Sequence, residues 1–147
     1  MEKIKFDQKH FTSILVIMAL VFLMLVNIAG AAPFAYITSW GEGSGILSVI
    51  DTATDNVTAT VPVGIWPYTV AVNPAGTKAY VVNAGSRTVS VIDTTINKVT
   101  ATVNVGNYPW EVAINPAGTK AYVTNYWSHT VSVMTQPRIK LQPRCLV

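Results

Sequence analysis

The sequence predicts an all-β fold built from tandem copies of one antiparallel unit, and three observations carry that prediction. First, segments return at a fixed period: Ala79-Tyr80-Val81-Val82-Asn83 reappears as Ala121-Tyr122-Val123-Thr124-Asn125, 42 residues later. Second, Asn73-Pro74-Ala75-Gly76-Thr77-Lys78 returns unchanged as Asn115-Pro116-Ala117-Gly118-Thr119-Lys120 at the same spacing. Third, the stretches between turn residues alternate apolar and hydroxyl side chains, the period of a strand. Residues 49–78 against 91–120 give 20 identities in 30 positions without a gap, and 79–91 against 121–133 give 9 in 13. A first copy starts at Ala35-Tyr36-Ile37-Thr38-Ser39 and is two residues longer, the extra length lying in 40–45.

Each repeat divides into four short strands. Pro67–Val72 is the first, Ala79–Asn83 the second, Thr88–Ile92 the third and Val99–Val105 the fourth. The turn after the first strand has a mechanism: Asn73 can bond its own backbone, Pro74 fixes φ at the first corner, and Gly76 ends the turn. Asp51-Thr52 and Asp93-Thr94 open the later turn in the same way. Pro62 interrupts the fourth strand of the first copy, and a residue without an N–H belongs on a sheet edge. The fourth strand is therefore expected outermost and Val70-Ala71-Val72 innermost. Repeated four-stranded meanders of this length indicate β-propeller blades. The fold class expected is a partial propeller of about two and a half antiparallel four-stranded blades, preceded by an N-terminal signal-peptide helix.

The chain divides into residues 1–31, a signal peptide or signal anchor; 34–133, the repeats; and 134–147, a non-repeat tail expected to be disordered. Lys3, Lys5 and Lys9 make a positive start, Ile14–Val26 is an unbroken apolar run, and small residues follow up to Ala31 and Ala32. Cleavage is expected after Ala31. The alternative is an uncleaved anchor, because 14–32 approaches the length of a spanning helix. Both readings place the repeats outside the cytoplasm, secreted or at the cell surface. The tail breaks the repeat at Met134, which points to a truncated or frameshifted copy of a longer gene, or to a natural tail.

Composition narrows function further. Formal charge is +3, from ten basic and seven acidic residues. The repeats hold only Lys78, Arg87, Lys98 and Lys120 against Glu42, Asp51, Asp55, Asp93 and Glu111, so the excess sits at the two ends. A clustered basic surface for nucleic acid is missing. Contact with a membrane is expected only through the N-terminal segment if it is uncleaved. Cys145 is the single cysteine, which rules out an intrachain disulfide. No catalytic set, metal spacing or cofactor motif stands out. Asp51 and Asp93 occupy equivalent turns and read as turn formers rather than as an acid–base pair. His129 lies in a loop without an evident partner.

These residues resemble the YVTN family of propeller repeats, found in archaeal surface-layer and related cell-surface proteins and distantly similar to WD-repeat and quinoprotein propellers. The resemblance rests on Tyr122-Val123-Thr124-Asn125, Val89-Ser90-Val91-Ile92-Asp93, Val57-Thr58-Ala59-Thr60-Val61 and Val70–Thr77, and it covers 35–133. It implies a secreted or surface-anchored structural or interaction module. Family members close rings from more blades than this chain has, since a ring needs about four. Partners are accordingly expected to be other blades or chains, in a homo-oligomer or a larger parent protein, and cell-envelope proteins or glycans.

Aromatic residues fall on one side of the meander. Trp40, Tyr126 and Trp127 lie in connections between second and third strands, and Trp66, Tyr68, Tyr108 and Trp110 lie beside the connections between blades. Aromatics on loops of a rigid scaffold mark a binding surface. The competing role is sealing of neighbouring blades, because Trp66-Pro67-Tyr68 and Tyr108-Pro109-Trp110 recur at the period. Trp40 and Trp127 are less periodic and are the better functional candidates. Asn56-Val57-Thr58 is the one N-glycosylation sequon. A fragment of a propeller enzyme, lactonase-like or quinoprotein-like, is the alternative function.

Overall fold

Strand follows strand with short turns between, as the alternation of the sequence requires. The computed structural model describes residues 34–40 and 43–135 in full, and the backbone alone of 140–146. The expected signal peptide and its cleavage point at Ala31 and Ala32 lie outside the described residues. β1 (Phe34–Trp40), β2 (Gly45–Asp51) and β3 (Asn56–Val63) make one sheet. β4 (Pro67–Val72), β5 (Lys78–Asn83), β6 (Thr88–Asp93) and β7 (Lys98–Asn104) make a second. β8 (Pro109–Ile114), β9 (Lys120–Asn125), β10 (Thr130–Thr135) and β11 (Lys140–Leu146) make a third. All pairs are antiparallel meanders. These sheets are blades 1, 2 and 3.

Within the meander, β7 closes one edge of blade 2 and β4 the other. β4 packs against β8, which sets the first strands of neighbouring blades side by side, while β3 meets β7 at the other edge. Pro62 lies in an edge strand, where its missing N–H breaks no ladder. The tail is a correction. Expected to be disordered, its 140–146 segment pairs with β10 as the fourth strand of blade 3. The repeat pattern is gone there, but β10 still presents an open row of backbone groups, and pairing needs no side-chain pattern to satisfy them.

Burial explains the spacing of the apolar residues. Val82, Tyr80, Val89 and Val91 of blade 2 pack with Val112, Ala121, Val123 and Met134 of blade 3. Ala79, Val81 and Ile92, on the other face, pack with Leu47 and Val61 of blade 1. The middle blade is thus covered on both sides, which is why β5 is buried at five consecutive positions rather than at every second one.

The turns behave as their residue types dictate. The Asn73 side-chain oxygen accepts hydrogen bonds from the N–H groups of Thr77 (2.8 Å) and Lys78 (2.9 Å), and Gly76 takes a φ of 69° that a Cβ would disfavour. Asn115 repeats the bond to Lys120 at 2.8 Å. The Asp51 carboxylate accepts from Ala53 N–H at 2.8 Å, and that of Asp93 from Thr95 N–H at 2.8 Å. Hydrogen bonds from the Thr95 side chain and backbone hold the Asp93 carboxyl below its ordinary range. Both aspartates are committed to their turns. The non-glycine residues with positive φ come in pairs at the repeat period: Asp55 and Asn97, Trp66 and Tyr108, Arg87 and His129.

Candidate functional site

The site is built on the connection from one blade to the next. After β3 and after β7 the chain turns inward at Gly64 and Gly106. Each is held by an asparagine at the end of the second strand. The Asn83 side-chain oxygen accepts from Gly64 N–H at 3.1 Å, and its amide nitrogen donates to Thr88 Oγ1 (3.1 Å) and Ser90 Oγ (2.9 Å). Asn125 does the same with Gly106 N–H (3.0 Å), Thr130 Oγ1 (3.1 Å) and Ser132 Oγ (3.0 Å). Both amides are buried, at 0% and 2% exposure. A Cβ on Gly64 would lie 2.6 Å from Asn83 Cγ, so only glycine allows this approach. Ser86 and Ser128 add a second tie, accepting from Ile65 N–H (2.7 Å) and Asn107 N–H (3.2 Å).

The staple sets the second residue beyond each glycine in an unusual backbone. Trp66 has φ 51° and Tyr108 φ 52°, the left-handed region that a bulky side chain rarely enters. Their carbonyls are fixed: Trp66 O accepts from Ala84 N–H and Tyr108 O from Tyr126 N–H, each at 2.9 Å. Across the connection the two blades differ. Blade 2 has Ala84-Gly85, and a Cβ on Gly85 would lie 2.8 Å from Ile65 Cγ2. In blade 3 the same positions are Tyr126 and Trp127, and Asn107 replaces Ile65. The exchange is paired: the isoleucine that forbids a side chain at 85 is absent beside Trp127.

Tyr126-Trp127-Ser128 forms a 3-10 turn, closed by His129 at φ 49°. The turn brings Trp127 onto Tyr108, with ring centroids 4.4 Å apart and planes at 20°. Trp110 stacks on Tyr68 of the neighbouring blade at 4.8 Å and 28°. The Tyr68 and Tyr108 hydroxyls hydrogen-bond at 3.1 Å. That bond, with desolvation and the Tyr68 charge, raises the Tyr108 phenol above its ordinary pKa. Tyr108, Trp110, Tyr126 and Trp127 line a shallow cleft of about 480 Å³. Trp127 is 66% and Tyr126 65% exposed, so their faces are open to solvent.

Five of the seven aromatics singled out in the sequence therefore meet: Tyr68, Tyr108, Trp110, Tyr126 and Trp127. Among the described residues no ring contact joins Trp40 or Trp66 to them, although both are exposed. The periodic residues Tyr68 and Trp110 bridge two blades, and Trp110 also lines the cleft, so sealing and exposure are combined. Trp127 joins the cluster and Trp40 does not. Glu111 is exposed at the start of β8, its N–H donating to Thr124 Oγ1 at 3.1 Å. Asn56 is exposed at the start of β3, and the Thr58 hydroxyl of the same sequon donates to Val49 O at 3.2 Å. Among the described residues no three His, Cys, Asp or Glu side chains gather in a way that could hold a metal. Sequence reasoning recorded the recurrence of Asn83 and Asn125 but missed their role. The signal was present: both directly precede a turn, and each is followed by a hydroxyl residue five and seven places on.

No protein-family model and no curated protein matches the sequence. Solved structures do. Hydrazine synthase from Kuenenia stuttgartiensis is similar with a TM-score of 0.71 and 29% identity, over 78% of this chain and 32% of that one. These neighbours are β-propeller-type proteins, and the three antiparallel sheets superpose on part of such a ring. The chain has a partial β-propeller fold. Dihydro-heme d1 dehydrogenase NirN is similar with a TM-score of 0.64 and 19% identity, over 78% of this chain and 25% of that one. Apo AztD from Citrobacter koseri gives 0.61 and 19%, over 80% and 33%. This partial propeller spans about a quarter to a third of the length of these three neighbours.

Proposed function

We propose that the chain is an exported, non-enzymatic YVTN-type propeller module, similar to surface-layer and cell-surface repeat proteins, whose aromatic cleft binds a glycan. The observation that carries this reading is the open stack of Tyr108 and Trp127, continued by Trp110 and Tyr68. Ring faces carry partial negative charge, and the axial C–H groups of a sugar ring carry partial positive charge, so a pyranose lies flat on such a ledge. The phenol hydroxyls and indole N–H groups at its rim offer hydrogen bonds to sugar hydroxyls. The basic N-terminus followed by an apolar run and small residues supports a location outside the cytoplasm, secreted or on the surface.

Two neighbours carry enzyme names, which is what favours the second reading, a piece of a propeller enzyme. Against it, the carboxylates of Asp51 and Asp93 are occupied by their turns. Titration of purified protein with cell-envelope oligosaccharides, followed by tryptophan fluorescence, tests the leading reading. Loss of one stacked ring removes about 0.5–1.5 kcal/mol, so Trp127→Ala should weaken binding roughly 2- to 12-fold. Trp40→Ala should leave it unchanged. A folded chain whose fluorescence responds to no envelope glycan sinks the proposal, and a stoichiometric metal or quinone in that preparation would favour the enzyme reading.

A further inference from the structure

Each blade has two faces, and the repeat makes corresponding faces chemically alike. One face of blade 2, with Ala79, Val81 and Ile92, is sealed against blade 1. Its other face, with Tyr80, Val82, Val89 and Val91, is sealed against Ala121, Val123 and Met134 of blade 3. The corresponding faces of the outer blades are open. Ile37, the counterpart of Val81, is 50% exposed against 0%, and Ile46 beside it is 39% exposed. Tyr122, the counterpart of Tyr80, is 39% exposed against 1%.

We propose that these two open faces are the two halves of one interface, and that a second copy of this chain occupies them. Blade 3 of one copy packs on blade 1 of the other, head to tail, and two copies close a six-bladed ring. The two faces are not self-complementary. Inside the chain the tyrosine-bearing face always meets the alanine-bearing face of the next blade, so the open Tyr122 face calls for the Ala35 and Ile37 face and not for itself. A contact between two different faces repeats with the same rotation and closes into a ring. Rings run from about four to eight blades. With three sheets among the described residues of each copy, two copies give six, within that range, and three would overshoot it. This deepens the expectation that the chain partners with further blades, and it is independent of what the cleft binds.

Analytical ultracentrifugation of the full chain should give twice the 15.9 kDa mass. Ile37→Asp and Tyr122→Asp should each sediment as single copies with an unchanged far-ultraviolet β spectrum. Mixed in equal amounts and concentrated, they should recover a two-copy species, because Ile37→Asp keeps an intact blade 3 face and Tyr122→Asp an intact blade 1 face. If either substitution loses the β spectrum, Ile37→Thr and Tyr122→Ser replace them. A wild-type chain that sediments as a single folded copy overturns the proposal. So does a pair that survives both substitutions, or a mixture that stays as single copies. Glycan binding by a single copy would leave the cleft proposal standing while this one falls.

Discussion

Asn83 and Asn125 show how one side chain joins local and long-range structure. Each occupies the last position of a second strand, where strand pairing ends and the next blade must be reached. A buried amide with two donors and an acceptor satisfies one backbone N–H and two hydroxyls that would otherwise be stranded. Replacing one partner of such a set leaves the others unpaired. Asn83→Ala should therefore lower unfolding free energy by about 2–3 kcal/mol, read from urea denaturation. A loss below half of that would mean that water fills the gap. In the first copy the position is Ser39, which is exposed, and Ser39→Ala should have little effect by the same measurement. The sequence displayed the asparagines as a recurrence, but the acceptor's partner lies 19 residues earlier, and no local pattern announces a bond of that span.

At the scale of elements, the 3-10 turn at Tyr126–Ser128 and the connection at Asn107–Pro109 act as one unit. The strands on either side follow the repeat, so the scaffold is shared with blade 2, while the paired exchange of Ile65 and Gly85 for Asn107 and Trp127 is confined to blade 3. The Tyr68–Tyr108 hydroxyl bond ties this unit to the neighbouring blade and favours the neutral phenol of Tyr108 in the folded state. Because its folded pKa is raised, that contribution is complete below the unfolded tyrosine value near ~10 and disappears as pH climbs through the folded value. An absorbance titration should show Tyr108 ionising late together with Tyr36 and Tyr80, which burial raises, and Tyr68→Phe should bring one of these late tyrosines back toward the ordinary range. An unchanged titration in that variant would rule out the bond. The aromatics were legible in the sequence as one-sided loop residues. Their selection into a cluster was not, since stacking depends on ring separations that the fold sets, and it leaves Trp40 and Trp66 aside.

For the whole molecule, the decisive asymmetry is between the middle blade and the outer two. Blade 2 is covered on both faces, and Ala79, Val81, Val82, Val89, Val91 and Ile92 are all inaccessible to solvent. Blades 1 and 3 are each covered on one face. Opening free energies should follow this order. Amide hydrogen exchange should be slowest in β5 and β6, and fastest in β3 and in the turns, with the open faces of blades 1 and 3 gaining protection as protein concentration rises into the range of the proposed ring. Uniform protection across the three sheets would contradict this account of the core.

The sequence by itself determined the repeat, the four-strand period, the turn chemistry of Asn73 and Asp93, and the placement of aromatics on one side. All of these follow from periods of two and of 42 and from residues whose backbone preferences are local. Only the tertiary structure decided that 140–146 pairs as a strand, that Asn83 and Asn125 hold the blade connections, and which aromatics stack. Those outcomes depend on what lies opposite each residue in space. An open sheet edge recruits a segment by its backbone, whatever its side chains, and ring stacking follows from the separation of neighbouring blades.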